Sequence, residues 1–404
     1  MNHSPGARRR TVLATIATAV VAGLVPIAPA SADMPADLYP IRPGTQAWAE
    51  FDTYDEMVRA TQLPAGVPEA MSTDDLAASA LDYPLLLDPL YHDNIQLGMD
   101  SVVANSNVLT ELIRRPGAGG ALLKRYADIQ IRLPDSVAPL DAGDHTFEVW
   151  KVESLLAQPQ VLGGMSRDQL EEILRIGRDK YAAKQANPQT YSRSGLEPTT
   201  VLLGRALALR EGWDWTRVPL LRDATAPSSA AIDEIVPTLD RHFTEPGVAH
   251  PITAGIAIMD RNTIVRTPLG TAVGVVEISD EFTDAEIKSL NARVQRQWPK
   301  AKRETNASRR YNCHSYAWYS QATNNKIWMN TPGDDTYWRD RSYVWTTGTN
   351  AGLRWSWPES TDHTAIGTGS GWVRGKWGKA GRMFHWYNYG PYEHPELINK
   401  YREN

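Results

Sequence analysis

The chain holds one cysteine, Cys313, in the stretch Arg310-Tyr311-Asn312-Cys313-His314-Ser315-Tyr316-Ala317-Trp318-Tyr319. Polar, extended-looking residues precede it, and Tyr316, Ala317 and Trp318 can continue as a buried helix. That pattern places the thiol at a helix start, where unpaired N–H groups and the helix dipole favour thiolate, the nucleophilic form. A base is required next. Asp362-His363-Thr364-Ala365-Ile366-Gly367 follows a proline-containing turn and reads as a strand with His363 at its mouth. An imidazole there can take the thiol proton and later protonate a leaving group near neutral pH. His314, the neighbour of the cysteine on the same helix, is expected to point elsewhere in an exposed structural role. A lone thiol excludes an intramolecular disulfide framework and any multi-thiolate metal site. No His/Asp/Glu spacing suggests another metal site, so neither metal nor cofactor is expected.

A second strand, Gly371-Trp372-Val373-Arg374, leads into Gly375-Lys376-Trp377-Gly378-Lys379-Ala380-Gly381, with Lys376 expected as a solvated strand-end residue. Together these pieces resemble the papain-like thiol hydrolases, most closely their compact bacterial branch of NlpC-type cell-wall endopeptidases and CHAP amidases. The resemblance rests on Asn312-Cys313 opening an aromatic helix, on the His363 strand, and on the short Cys-to-His separation. It covers roughly residues 305–390. Gly375-Lys376-Trp377-Gly378 matches papain's Asn-Ser-Trp-Gly segment, whose Asn orients the catalytic imidazole; here Gly375 stands in its place.

The resemblance implies an α+β domain in which Cys313 attacks an amide carbonyl and His363 serves as base and then acid. The substrate class it implies is peptidoglycan stem peptides or other peptide-like amides. His385 would orient the imidazole, with Asn388 or Asp362 as alternatives. The Cys313 N–H, helped by Asn312 or Asn306, would form the oxyanion hole, and Trp318, Trp355 and Trp377 would contact substrate. Gly375 also favours an alternative of another class, a non-catalytic secreted protein binding cell wall, glycan or peptide on a degenerate form of the fold. A third reading is an effector or toxin whose acidic half recruits a protein partner.

The elements that must position these residues fall into three regions. From Trp48 to about Glu211 the pattern is helical. Capping residues Ser72 to Asp75 open one apolar face, a second helical pattern runs over Asn94–Arg114, and Ser166-x-x-Gln169 is a capping box before Leu170, Ile173 and Leu174. Another helix is expected from Thr199 through Leu207. His92 and His145 are isolated and the carboxylates are scattered, so no catalytic constellation is expected in this part. Prolines break residues 213–250 into a linker. Ile252–Met259, Ile264–Thr267 and Thr271–Ile278 are β-branched runs, and Thr283-x-x-Glu286 caps a helix ending before Pro299. The expected fold is multidomain, α plus α+β: a signal at 1–32, an acidic α-helical domain at 33–215, a linker and small β/α connector at 216–299, and an aromatic-rich papain-like domain at 300–404.

Composition agrees with that division. The 404 residues are 42% hydrophobic and 22% charged, which excludes wholesale disorder and a multi-span membrane protein. Residues 33–299 carry a net charge of −14, whereas residues 300–404 carry +6 and nine of the 14 tryptophans. An acidic chain without an interleaved basic stripe is not expected to bind nucleic acid. Arg8-Arg9-Arg10, the apolar Val12–Ala30 and Ala30-Ser31-Ala32 read as a Sec or twin-arginine export signal cleaved before Asp33. That makes the expected location bacterial extracellular or cell-wall associated, with no membrane span. The partners expected are a peptide-like or peptidoglycan substrate and a possible protein partner for the helical domain.

Overall fold

Cap chemistry decides where the helices start. Ser72 accepts from Asp75 N to open Thr73–Leu81, while Ser166/Gln169 and Thr283/Glu286 form complete capping boxes ahead of Arg167–Gln185 and Asp284–Gln297. The pattern over Asn94–Arg114 is two helices rather than one. Asn94 caps Ile95–Ala104, and Ser106 caps a new start at Asn107–Arg114 because its hydroxyl accepts from Leu109 N. The helix expected from Thr199 runs over Arg193–Glu211 and stops at Gly212, whose φ of 78° suits glycine.

The computed structural model describes residues 38–404 apart from 135, 226–229, 246, 249–260 and 359–360. The export signal and the run Ile252–Met259 therefore lie outside the described residues. Tyr39–Asn404 forms one compact unit containing the three expected regions. An all-helical region extends from Gln46 to Thr244. The connector pairs β1 (Arg261–Arg266) antiparallel with β2 (Ala272–Glu277), and Asp284–Gln297 follows.

The C-terminal region is mixed. Its strands are β3 (Lys302–Arg303), β4 (Ile327–Trp328), β5 (Tyr343–Trp345), β6 (Arg354–Ser356), β7 (Thr364–Gly369), β8 (Trp372–Lys376), β9 (Arg382–Trp386) and β10 (Asn399–Glu403). β4 joins the connector sheet beside β2, and the others form an antiparallel sheet in the order β3-β9-β8-β7-β6-β10-β5.

Among the contacts that tie the helical region to the rest, three bear on the site. The helix Pro139–Leu156 lies so close to Asp284–Gln297 that a Cβ at Gly143 would collide with Ala285 O. Glu197, on Arg193–Glu211, accepts from Arg309 Nη2 at 2.6 Å and also pairs with Lys379, all three side chains being buried. The short turn Asp88–Tyr91 lies on the sheet side of the C-terminal region. Lys379 N donates to Leu90 O at 2.8 Å and Tyr392 Oη to Tyr91 O at 2.9 Å. This last contact delivers His92 and Asp93 to the site described next.

Candidate active site

Asn312 begins the site because its side chain caps the turn that carries the cysteine. Its Oδ1 accepts from Ser315 N at 3.1 Å and Met329 N at 3.2 Å, while Nδ2 donates to Met329 O and to Asp93 Oδ2 at 2.8 Å. Cys313 and His314 open the helix, which widens to a π-helical turn over Ser315–Tyr319, so the expected helix exists but is short. The expected position of the thiol is correct.

Its expected ionisation is not. Cys313 is 1% exposed, and its Sγ donates to Asp93 Oδ2 at 3.1 Å. Burial first, and the Asp93 charge second, push the thiol up to about 12, and the opposing His314 does not compensate. In this geometry the sulfur is a thiol buried among polar groups rather than the thiolate expected at a helix start.

The imidazole at this pocket is His314, contrary to the expectation of an exposed structural role. It is 1% exposed. Nδ1 lies 2.7 Å from Thr364 Oγ1 and 3.1 Å from Asp334 Oδ2, and Nε2 lies 3.1 Å from Asp93 Oδ2 and 3.2 Å from Asp362 Oδ1. Burial opposes its charge, but Asp334 and the other surrounding negative groups outweigh that and hold the ring well above the usual imidazole range. Burial raises Asp93 to about 7 against the pull of His314. Burial opposes the charge of the part-buried Asp362 as well, yet His314 draws it below the ordinary carboxylate value. The ligating atoms of Asp93, Cys313 and His314 all lie within 4.8 Å of one another, an arrangement that resembles a thiol-hydrolase triad.

The other residues singled out from the sequence fall elsewhere. On β7 the side chain of Thr364 meets His314, and alternation sends its neighbour His363 to a different set of partners. His363 stacks on Tyr392 at 3.5 Å between centroids and meets Trp357 edge-on at 4.9 Å. Both its nitrogens are buried without a hydrogen-bond partner among the described residues, and burial drives it well below the usual imidazole range. A Cβ at Gly375 would lie 3.1 Å from His363 Nε2, so the position matched to papain's Asn does face this imidazole.

His385 gives Nε2 to Trp377 Nε1–H and Nδ1–H to Trp386 O, which leaves neither nitrogen for His363. Asn388 lines a separate cleft beside Trp372 and Trp386. The Asn312 amide is committed as above, and Asn306 is exposed, accepting from Asn291 and Arg303. Trp318 packs among Tyr337, Trp338, Tyr343 and Tyr401, Trp355 under Lys400, and Trp377 against Trp298; all three are buried. Lys376, expected in solvent, is fully buried, donates to Ser308 O and Gly378 O, and is lowered by burial to about 7.

Asp93 and Asp334 are the site residues that sequence reasoning missed. Asp93 lies 220 residues before Cys313 in a segment expected to hold no constellation. The signal that could have pointed to it is an acid directly before the helix cap Asn94, in a run with few other polar residues: Leu85-Leu86-Leu87-Asp88-Pro89-Leu90-Tyr91-His92-Asp93. Comparison of the chain with protein-family models, curated proteins and solved structures gives no match.

Proposed function

We propose that the chain is a cysteine hydrolase that cleaves an amide bond, with Cys313 as nucleophile. The observation that carries this reading is the convergence of Asp93, Cys313 and His314 within 4.8 Å in one buried pocket. Asp93 stands where it can accept the thiol proton, since its carboxyl is held near neutrality and already receives the S–H. The His314 ring, held by Asp334 and Thr364, supplies the positive charge that steadies the resulting thiolate. The thiolate adds to the carbonyl carbon, the C–N bond breaks as the amine takes the proton from Asp93, and water hydrolyses the thioester. Export to the cell exterior, through the signal at 1–32, and a peptidoglycan stem peptide or similar amide as substrate complete the proposal. The support for these is the signal pattern and the resemblance of residues 305–390.

A second assignment of the base has its own support. His363 is a buried imidazole with both nitrogens unpaired, which is costly unless a partner arrives during turnover. The test is amide release from peptidoglycan fragments and model peptides by wild type, Cys313→Ala, His314→Gln and His363→Gln. Loss in Cys313→Ala with retained folding supports the hydrolase; loss of acylation in an added Asp93→Asn variant, with His363→Gln still acylated, assigns the base to Asp93, and the opposite pattern assigns it to His363. Undiminished cleavage by Cys313→Ala overturns the proposal. Substrate binding without any cleavage by wild type supports the binding-protein alternative.

A further inference from the structure

Three donor atoms from two separate segments converge at Cys313, namely Asp93 Oδ2, Cys313 Sγ and His314 Nε2, with Asp362 Oδ1 beside Nε2. Neighbouring pairs are 3.1 Å (Sγ to Asp93), 3.1 Å (Nε2 to Asp93) and 3.2 Å (Nε2 to Asp362) apart. The two separations to Asp93 are a few tenths of an ångström under the edges of a tetrahedron built on zinc bonds of about 2.0–2.3 Å. Small outward shifts would seat a cation.

A hydrogen-bonded cluster would not be arranged this way. His314 Nε2 has two carboxylate oxygens within 3.2 Å, yet it has no hydrogen-bond partner among the described residues, because both oxygens lie off the N–H direction. Asp93 Oδ1 is also buried without a partner. The far side of the imidazole is built as a metal-bound histidine requires. Nδ1 faces the Asp334 carboxylate and the Thr364 hydroxyl, which fixes the ring and leaves Nε2 to coordinate. Thr331 Oγ1 donates to Asp362 Oδ1 at 2.7 Å, and Asn312 Nδ2 does the same for Asp93, so both carboxylates are oriented as well. Asp362 adopts φ 48°, an unfavourable conformation for a non-glycine residue, in reaching this position.

We propose that Asp93, Cys313 and His314 form a three-residue site, its fourth position left for water, for a borderline divalent cation, Zn²⁺ by its thiolate, imidazole and carboxylate donors. The sulfur and nitrogen select against Mg²⁺ and Ca²⁺, which prefer oxygen. Binding breaks the S–H bond and frees Nε2, releasing the protons to solvent, and forms bonds from the metal to S, N and one carboxylate oxygen. The site stands whether or not Cys313 is a nucleophile. Its consequence, that the bound cation masks the hydrolase until removed, rests on the function proposed above.

The test uses the full chain, reduced and stripped with a chelator, titrated with Co²⁺. One equivalent is expected to produce a sulfur-to-cobalt charge-transfer absorption together with the visible bands of tetrahedral Co²⁺. Zn²⁺ should displace the colour and protect Cys313 from alkylation. Cys313→Ser should lose the charge-transfer band. Asp334→Asn, which alters only the orienting partner, should keep the band and weaken affinity by about 10–100-fold. Circular dichroism confirms that each variant is folded. Absence of a band in folded wild type, or its persistence in Cys313→Ser, overturns the site. Metal binding by a chain that never cleaves amides, even when stripped, overturns the hydrolase and leaves the site intact. Cleavage by a chain that binds no cobalt does the reverse.

Discussion

At the scale of single residues, the state of Cys313 follows from what surrounds its sulfur. A helix start lowers a thiol pKa by a modest dipole effect, whereas removal from water and an adjacent carboxylate both raise it, and here they win. In chelator-treated protein, iodoacetamide at pH 8 is therefore expected to label native Cys313 about 10³-fold or more slowly than a free thiol, with the free rate restored in denaturant. Asp93→Asn removes the nearest negative charge and should lower the thiol pKa, so its labelling rate should exceed wild type above about pH 7, where Asp93 is ionised. Equal rates in the two proteins would mean that Asp93 does not govern the sulfur. Gly375 makes a different statement. An added Cβ would press on His363 Nε2 at 3.1 Å and Ala365 Cβ at 3.2 Å. Gly375→Ala should thus cost about 1–3 kcal/mol by overpacking, read as a lower denaturant midpoint with unchanged m-value.

At the scale of elements, the turn Asp88–Tyr91 links the two halves of the site, and its own acid reports on its burial. Asp88 is fully buried, accepts from Gln297 Nε2 at 2.5 Å, and is raised by burial from 3.8 to about 7. Between those values the folded chain keeps a proton that the unfolded chain has released, so this group's contribution to stability falls as pH rises from about 4 to 7. Asp88→Asn keeps the acceptor and removes the titration. Its stability relative to wild type should rise across that window, by at most about 1.4 kcal/mol per pH unit, in urea melts at fixed pH. A pH-independent difference would remove Asp88 as a titrating group.

Elements of this kind also mark how far the sequence could be read. Cap chemistry and alternation are local, so the Ser166 and Thr283 boxes, the strand after His363 and the start of a helix at Cys313 were all legible. The partner of the cysteine was not legible. Asp93 reaches it only because Leu90 and Tyr91 carbonyls accept from Lys379 N and Tyr392 Oη, and no local pattern encodes a contact across that many residues. His314 was misjudged for a related reason. A helical wheel separates adjacent side chains, but a two-residue start leading into a π turn lets both face one pocket.

At the scale of the whole molecule, residues 300–404 have the sequence of a domain but the packing of a half. Trp377 is fully buried because Trp298, at 5.3 Å, and Tyr91, at 6.1 Å, cover it, and both belong to earlier segments. Arg309 and Lys379 are buried beside Glu197, β4 pairs with β2, and the Cys313 pocket is closed by Asp93. Glu197→Ala would leave Lys379 buried without its carboxylate and Arg309 with Asp280 in place of two acids, a loss of about 3–5 kcal/mol that should show as a large drop in thermal midpoint. Excision of residues 300–404 removes all of these partners at once. That fragment is expected to lack near-UV dichroism and a cooperative thermal transition, whereas residues 33–404 should unfold in one transition seen alike by tryptophan fluorescence and far-UV dichroism. A fragment that folds cooperatively would show instead that the helical region is a removable cover. Amide cleavage by that fragment would then locate catalysis in groups other than Asp93, with His363, whose two ring nitrogens are unpaired among the described residues, to take its place.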